Sequence, residues 1–248
     1  MKRFFMLLCA LALVVGAATA QTADKKKAPK DWAKFGYYQK ANAEIADRVG
    51  KIDAVFMGNS ITNGWARKDP AFFDKNNFVG RGISGQTTSE MLVRFRRDVL
   101  DLKPRCVVIM AGINDIAMNN GIISHENIMG NIESMCELAK FHKIKVILCS
   151  VTPSRQFRWR KELTPAEDIK RLNEMIKAYA AKNKIHYVDY HSALTEADGG
   201  LPLKWAKDGV HPNLECYVTV MEPMVLEAVN KVLKTKKSYI SPLPAGVI

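Results

Sequence analysis

The sequence predicts a doubly wound α/β domain on a parallel sheet. Short, wholly apolar runs alternate with amphipathic stretches of helical period along most of the chain. Reactive residue types also recur immediately behind the apolar runs. Apolar strands joined by helices bury both faces of their sheet, which calls for parallel strands and right-handed crossovers. A sheet of that kind carries its site beyond the carboxyl ends of the strands.

The chain has 248 residues, 48% hydrophobic and 25% charged, which suits one domain with a full core and points to neither disorder nor a fibrous repeat. At the amino end, Lys2 and Arg3 precede the almost wholly apolar residues 4–17, and Ala18-Thr19-Ala20 follows. That is the pattern of a secretory signal peptide cleaved after Ala20. The apolar run falls short of the ~20 residues a spanning helix needs, and Cys9 lies too early in it for lipoprotein processing. The expected protein is exported, periplasmic or secreted, without stable membrane insertion. Its expected organisation is a signal peptide (1–20), a polar linker (21–36), a folded domain (37–233) and a C-terminal tail (234–248).

Within the domain, residues 37–49 have helical spacing and residues 52–57 form an apolar strand ending at Gly58. Residues 78–83 read as a weaker strand. Residues 88–100 read as an amphipathic helix with Met91, Leu92, Phe95 and Val99 on one face. Residues 106–111 give the strongest strand signal, followed by a helix over 127–142 and a strand over 144–149. A helix over 167–182 aligns Ile169, Leu172, Ile176 and Tyr179. Residues 185–188 are the last strand and 217–233 the last helix.

Removal of Lys2 and Arg3 lowers the formal charge from +12 to +10. Such a balance suits either a solvated basic surface or an anionic partner. The basic residues are spread along the chain and no nucleic-acid motif is present. Four cysteines remain after cleavage: Cys106, Cys136, Cys149 and Cys216. Cys106 and Cys149 fall in core strands, where a thiol is a small apolar side chain. Reduced, buried thiols are therefore expected. No Cys/His cluster has zinc spacing, and no metal is expected.

Three loops behind strands and one just before the last helix hold the candidate chemistry: Gly58-Asn59-Ser60, Gly82-Ile83-Ser84-Gly85, Gly112-Ile113-Asn114-Asp115 and Asp208-Gly209-Val210-His211. A serine hydroxyl is a weak nucleophile until a base takes its proton. Histidine titrates near neutral pH and can do so. A carboxylate can hold the imidazole tautomer, and amide donors can stabilise an oxyanion. Taken singly, each motif is equally a turn or a helix cap. Their order, three of them behind successive strands, makes the combined reading.

The blocks Gly58-Asn59-Ser60, Gly85, Gly112-x-Asn114 and Asp208-x-x-His211 resemble the four blocks of the SGNH/GDSL hydrolases. Residues 77–88 and the strand ending in Gly112-Ile113-Asn114 also resemble that family's platelet-activating-factor acetylhydrolase-like branch. The likeness runs from about residue 50 to 232. It implies a flavodoxin-like three-layer α/β/α sandwich with a five-stranded parallel sheet, and no metal or organic cofactor. It also implies roles: Ser60 as nucleophile, His211 as base and Asp208 as its partner. Ser60, Gly85 and Asn114 would form the oxyanion hole. Asn59 stands where the family usually has Asp, and Thr62 removes the second Gly of the ordinary α/β-hydrolase elbow. His191, with Asp189 nearby, is a rival base.

The longest irregular stretch, residues 152–164, holds Phe157 and Trp159 among Arg155, Arg158, Arg160 and Lys161. Those residues, with Asn59, are candidate substrate contacts, or else a basic surface loop folded at the core edge. No amphipathic lid is evident. The functional expectation is an exported esterase removing short acyl groups, acetyl above all, from carbohydrates. A lysophospholipase or thioesterase, an O-acetyltransferase and a non-catalytic carbohydrate-binding protein on the same fold are the alternatives.

Overall fold

The structure is a computed structural model and describes residues 31–243. The expected signal peptide and most of the expected linker lie outside the described residues.

Five parallel strands form one sheet in the order β2-β1-β3-β4-β5. They are β1 (Ala54–Gly58), β2 (Phe78–Gly82), β3 (Cys106–Met110), β4 (Lys145–Cys149) and β5 (His186–Val188). The helices between them are α1 (Gln39–Glu44), α2 (Ser60–Lys68), α3 (Pro70–Asn76), α4 (Thr88–Asp98), α5 (Ile113–Ile116), α6 (His125–Phe141), α7 (Ala166–Lys182) and α8 (Tyr190–Leu194). After β5 and α8 come α9 (Leu214–Cys216), a π-helical turn (Tyr217–Met221) and α10 (Glu222–Leu233). This is the flavodoxin-like three-layer sandwich.

Side chains alternate across each strand. In β1, Val55 and Met57 join Phe95, Ile132, Leu172 and Ile176 in one core. Ala54 and Phe56 turn to the other face, with Trp65, Phe72, Tyr217, Val225 and Val229. Both faces being covered is why the strands are continuous apolar runs and not alternating ones. The cysteines follow the same alternation. Cys136 packs in the first core, and Cys106, Cys149 and Cys216 in the second. All four thiols are free and buried.

Two segments differ from their sequence reading. The stretch 37–49 is not one helix but α1 followed by a 3₁₀ turn (Ala46–Arg48), and α1 buries no residue to extend it. Residues 31–36, read as linker, are packed against the domain: Ala33 is fully buried. Its carbonyl accepts from Gln86 Nε2 at 3.3 Å.

Of the expected tail, residues 234–243 are also tied down, and residues 244–248 lie outside the described ones. Asn230 Nδ2 donates to the Lys237 carbonyl at 2.7 Å, and Ser241 Oγ donates to Asp69 Oδ1 at 2.6 Å. Beside that contact lies the carboxyl of Glu222, fully buried, which accepts from Trp65 Nε1 at 3.1 Å. Burial, with the Asp69 carboxylate beside it, pushes the Glu222 carboxyl up to about 8.

Candidate active site

In a parallel sheet the strand order reverses where two neighbouring crossovers leave on opposite faces, and a crevice opens there. Here that point lies between β1 and β3, whose ends are in register at Gly58 and Met110. Ser60 leaves β1 and Asn114 leaves β3 at this crevice.

Asn59 Oδ1 accepts the Ile61 amide at 3.1 Å and so caps α2. Ser60 is the first residue of that helix, where unpaired amides and the helix dipole favour negative charge. Ser60 Oγ is 2.8 Å from His211 Nε2. His211 Nδ1 is 2.6 Å from Asp208 Oδ2. With Nδ1–H donating to the carboxylate, Nε2 is the acceptor for the serine hydroxyl. Asp208 Oδ1 in turn accepts the amides of Val210 at 3.0 Å and His211 at 2.8 Å, so one carboxylate fixes both the loop and the ring. Burial pushes the Asp208 carboxyl up, but hydrogen bonds from the His211 amide, the His211 ring and the Val210 amide outweigh it and hold it below the usual range.

The loop after β2 approaches from the other side of α2. A Cβ on Gly82 would lie 2.3 Å from the Asn63 amide nitrogen and 2.5 Å from the Asn59 carbonyl, so only glycine permits this contact. Gly85 has φ +81° with nothing near an added Cβ; it is needed for its backbone, not for space. Among the described residues no acceptor takes the Gly85 N–H. Asn114 Nδ2 donates to the Gln86 carbonyl at 3.0 Å, which orients the carboxamide and leaves its second hydrogen for another acceptor.

Buried polar residues that the sequence reading did not single out hold these loops together. Arg94, with no exposed surface, donates from its guanidinium to the Gly58 carbonyl at 3.0 Å, the Arg81 carbonyl at 2.9 Å and Gln86 Oε1 at 2.5 Å. Asp98 balances its charge at 2.9 Å. Asp115 accepts from Thr88 and so ties the loop after β3 to the start of α4. The available signals were an arginine inside an amphipathic helix face and an acid following Asn114.

The other candidates separate. His191 is held elsewhere: its amide donates to Ser150 Oγ at 2.8 Å, and its Nδ1 lies 3.3 Å from Thr195 Oγ1. Asn59, expected to touch substrate, is buried and spends its side-chain oxygen on the cap. Phe157 is also fully buried; it stacks beneath Trp159 with ring centres 5.2 Å apart. Trp159 is 44% exposed. Its ring centre lies 6.4 Å from that of His211, and Nε1 donates to Asn119 Oδ1 at 3.0 Å. The arginines of this loop are engaged in structure. Arg155 pairs with Glu196 and Asp198, and Arg158 donates to the Lys207 carbonyl.

The fold and the ordered loops define the class as an SGNH-type serine hydrolase. Residues 56–218 match the GDSL-like lipase/acylhydrolase family, and the chain belongs to it. A GDSL-like lipase from Bacteroides thetaiotaomicron superposes with a TM-score of 0.77 at 47% identity, over 80% of this chain and 98% of that one. Esterase TesA of Pseudomonas aeruginosa is 26% identical over 200 residues, 79% of this chain and 90% of its own length. The uncharacterised lipoprotein YqeF of Bacillus subtilis is 36% identical over 121 residues, 42% of this chain and only half of YqeF.

Proposed function

We propose that the protein is an exported esterase that removes short acyl groups, acetyl above all, from carbohydrates by way of an acyl-enzyme. The observation that carries this reading is the unbroken chain from Ser60 Oγ through His211 to Asp208. His211 Nε2 takes the hydroxyl proton as Ser60 attacks the ester carbonyl, and Asp208, kept ionised by its three donors, stabilises the imidazolium. The carbonyl oxygen becomes an oxyanion. The N–H groups of Ser60 and Gly85 and the free Asn114 hydrogen receive it, and each such donor is worth about 10²–10³ in rate. His211 then protonates the departing alcohol. In the second half a water, deprotonated by the same nitrogen, attacks the acyl carbonyl; the bond to Ser60 Oγ breaks, His211 returns the proton to that oxygen, and the carboxylic acid leaves.

The carbohydrate reading is supported by Trp159, a half-exposed flat ring beside His211, fixed by Asn119 and backed by Phe157. Such a platform suits the apolar face of a sugar. Export is supported by the pattern of residues 1–20.

The test is acetate release from acetylated glycans by the mature protein and its Ser60→Ala variant, with 4-nitrophenyl esters of increasing acyl length alongside. Release by wild type alone, with activity falling as the acyl chain lengthens, is the expected result. A preference for long acyl chains would make the protein a lysophospholipase or thioesterase. Glycan binding with no turnover would make it a binding protein.

A further inference from the structure

The opposite end of the sheet carries a feature the catalytic reading does not use. Four helical segments end there, and three residues leading into consecutive strands are lysines in the left-handed region. Lys103 before β3 has φ 49°, Lys143 before β4 has φ 60° and Lys184 before β5 has φ 54°. Glycine is the unstrained residue at such helix ends. Between α6, α7, α10 and the starts of β4 and β5 lies a cleft of about 590 Å³. Lys140, Lys143, Lys145, Lys184, Lys231 and His186 line it, and no carboxylate does. Among the described residues none of these five lysines forms an ion pair. A second hollow of about 460 Å³ shares Lys143 and Ile144 with it and adds Lys103, His142, Asp101 and Arg105, the last paired with Asp53.

Lysines at helix C-termini complement the helix dipole, and Lys145 Nζ does donate to the Val232 carbonyl at 2.7 Å. A helix end carries only about half a negative charge. Three such ends, with Glu227 near His186 and Glu137 one turn before Lys140, offset part of the five positive charges, and the concavity keeps a net positive balance, a potential that draws polyanions. The strands are five residues or shorter. At ~3.3 Å per residue a five-residue strand spans about 17 Å, and that length of sheet separates the cleft from the catalytic loops. A small ligand cannot touch both ends, whereas a polymer can.

We propose that this cleft is a second, non-catalytic site that holds the carboxylate groups of an acidic polysaccharide. The proposal rests on the glycan-esterase reading for its choice of polymer. Tethering there raises the local concentration of ester groups around Ser60 without any new contact at the catalytic centre. A bilayer surface is flat and cannot enter a concavity of this kind, which favours a flexible acidic chain over anionic lipid.

The experiment measures binding of an oligogalacturonate by titration calorimetry at 50 mM and 300 mM NaCl. A neutral xylo-oligosaccharide and anionic phospholipid vesicles serve as the other probes. Wild type is expected to bind the oligogalacturonate, to lose at least ~10-fold in affinity at the higher salt, and to ignore the neutral sugar and the vesicles. The triple variant Lys143→Gln, Lys184→Gln, Lys231→Gln is expected to lose at least ~10-fold in affinity while its kcat/KM on 4-nitrophenyl acetate is unchanged, since these side chains are exposed and remote. Lys40→Gln, Lys75→Gln, Lys170→Gln removes the same charge elsewhere and should bind as wild type. Absence of binding, equal losses in both triples, or binding to vesicles alone would overturn the proposal. An inactive enzyme that still binds through these lysines would instead remove the esterase reading and leave the cleft standing.

Discussion

Arg94 and Gln86 form a charge-assisted hydrogen bond with no exposure to solvent, Nε to Oε1 at 2.5 Å. The same Gln86 offers its main-chain carbonyl to the Asn114 amide, and the same guanidinium holds the Gly58 carbonyl two residues before Ser60. Arg94 therefore ties the loops of Ser60 and Asn114 into one frame, and in the proposed mechanism it is a positioning residue. Arg94→Lys keeps the charge but loses the planar fork. Its kcat on 4-nitrophenyl acetate should fall ~10-fold or more with KM little changed, because loosened donors matter most where charge develops. An equal fall in thermal stability with unaltered kcat would reduce Arg94 to a folding role.

Asn114→Ala removes a donor to a charge that exists only in the transition state. Its kcat should drop by roughly 10²–10³ with KM nearly constant. Asn114→Asp should be at least as harmful, since it sets a negative group where the oxyanion forms. A raised KM at unchanged kcat would mark Asn114 as a ground-state contact.

His211→Ala should cost more than Asn114→Ala, because Ser60 then has no base, and an organophosphonate should no longer label Ser60. Asp208→Asn keeps an acceptor but loses the charge that stabilises the imidazolium, and a drop of about 10³–10⁴ in kcat is expected. Peptide mapping of the phosphonate adduct checks the nucleophile directly, and an adduct on another serine would move the site.

Trp159→Ala should raise KM for an acetylated oligosaccharide several-fold and leave 4-nitrophenyl acetate turnover close to wild type. Phe157→Ala should instead lower thermal stability, since its ring is wholly buried and truncation leaves a cavity costing about 3–5 kcal/mol.

Glu222 makes the fold pH-sensitive in a definite direction. Burial raises its carboxyl to about 8 from an ordinary 4.5. The folded state therefore binds a proton that the unfolded state has released between those two values. Stability falls as pH rises through that window, and the burden is fully present above it. Glu222→Gln, which keeps an acceptor for Trp65 and supplies a donor toward Asp69, should raise Tm at pH 9 and change it little at pH 4. The reverse order in a pH-resolved melting series would contradict the buried, protonated acid.

Much of this architecture was legible because it rests on short-range rules. The strand over residues 106–111 stands out since a doubly covered strand is apolar at every position, and α7 since four apolar residues share its face. The order of the candidate loops was legible because three of them directly follow strands and the fourth directly precedes the last helices. The segment 37–49 misled because helical spacing alone does not sustain a helix with no buried face. Asn59, a candidate substrate contact, is buried, and of the two readings of the 152–164 loop the core-edge one holds for Phe157; sequence cannot tell a side chain aimed into a turn or a core from one aimed outward. The clasping roles of Arg94 and Asp115 are not legible in sequence for a related reason. The loop groups that Arg94 holds lie 8–36 residues away and the one that Asp115 holds lies 27 residues away, and only the folded chain says which loops need a clasp.

The four unpaired thiols lie on both sides of the sheet, Cys136 under one helical layer and Cys106, Cys149 and Cys216 under the other. Burial pushes Cys106, Cys136 and Cys216 up to about 12, so none of these three is a thiolate in the closed molecule. A thiol reagent can react only during an opening event, and the position it marks records which layer lifted. The protein thus contains its own pair of timers, by which detachment of either helical sheath can be followed without a foreign probe.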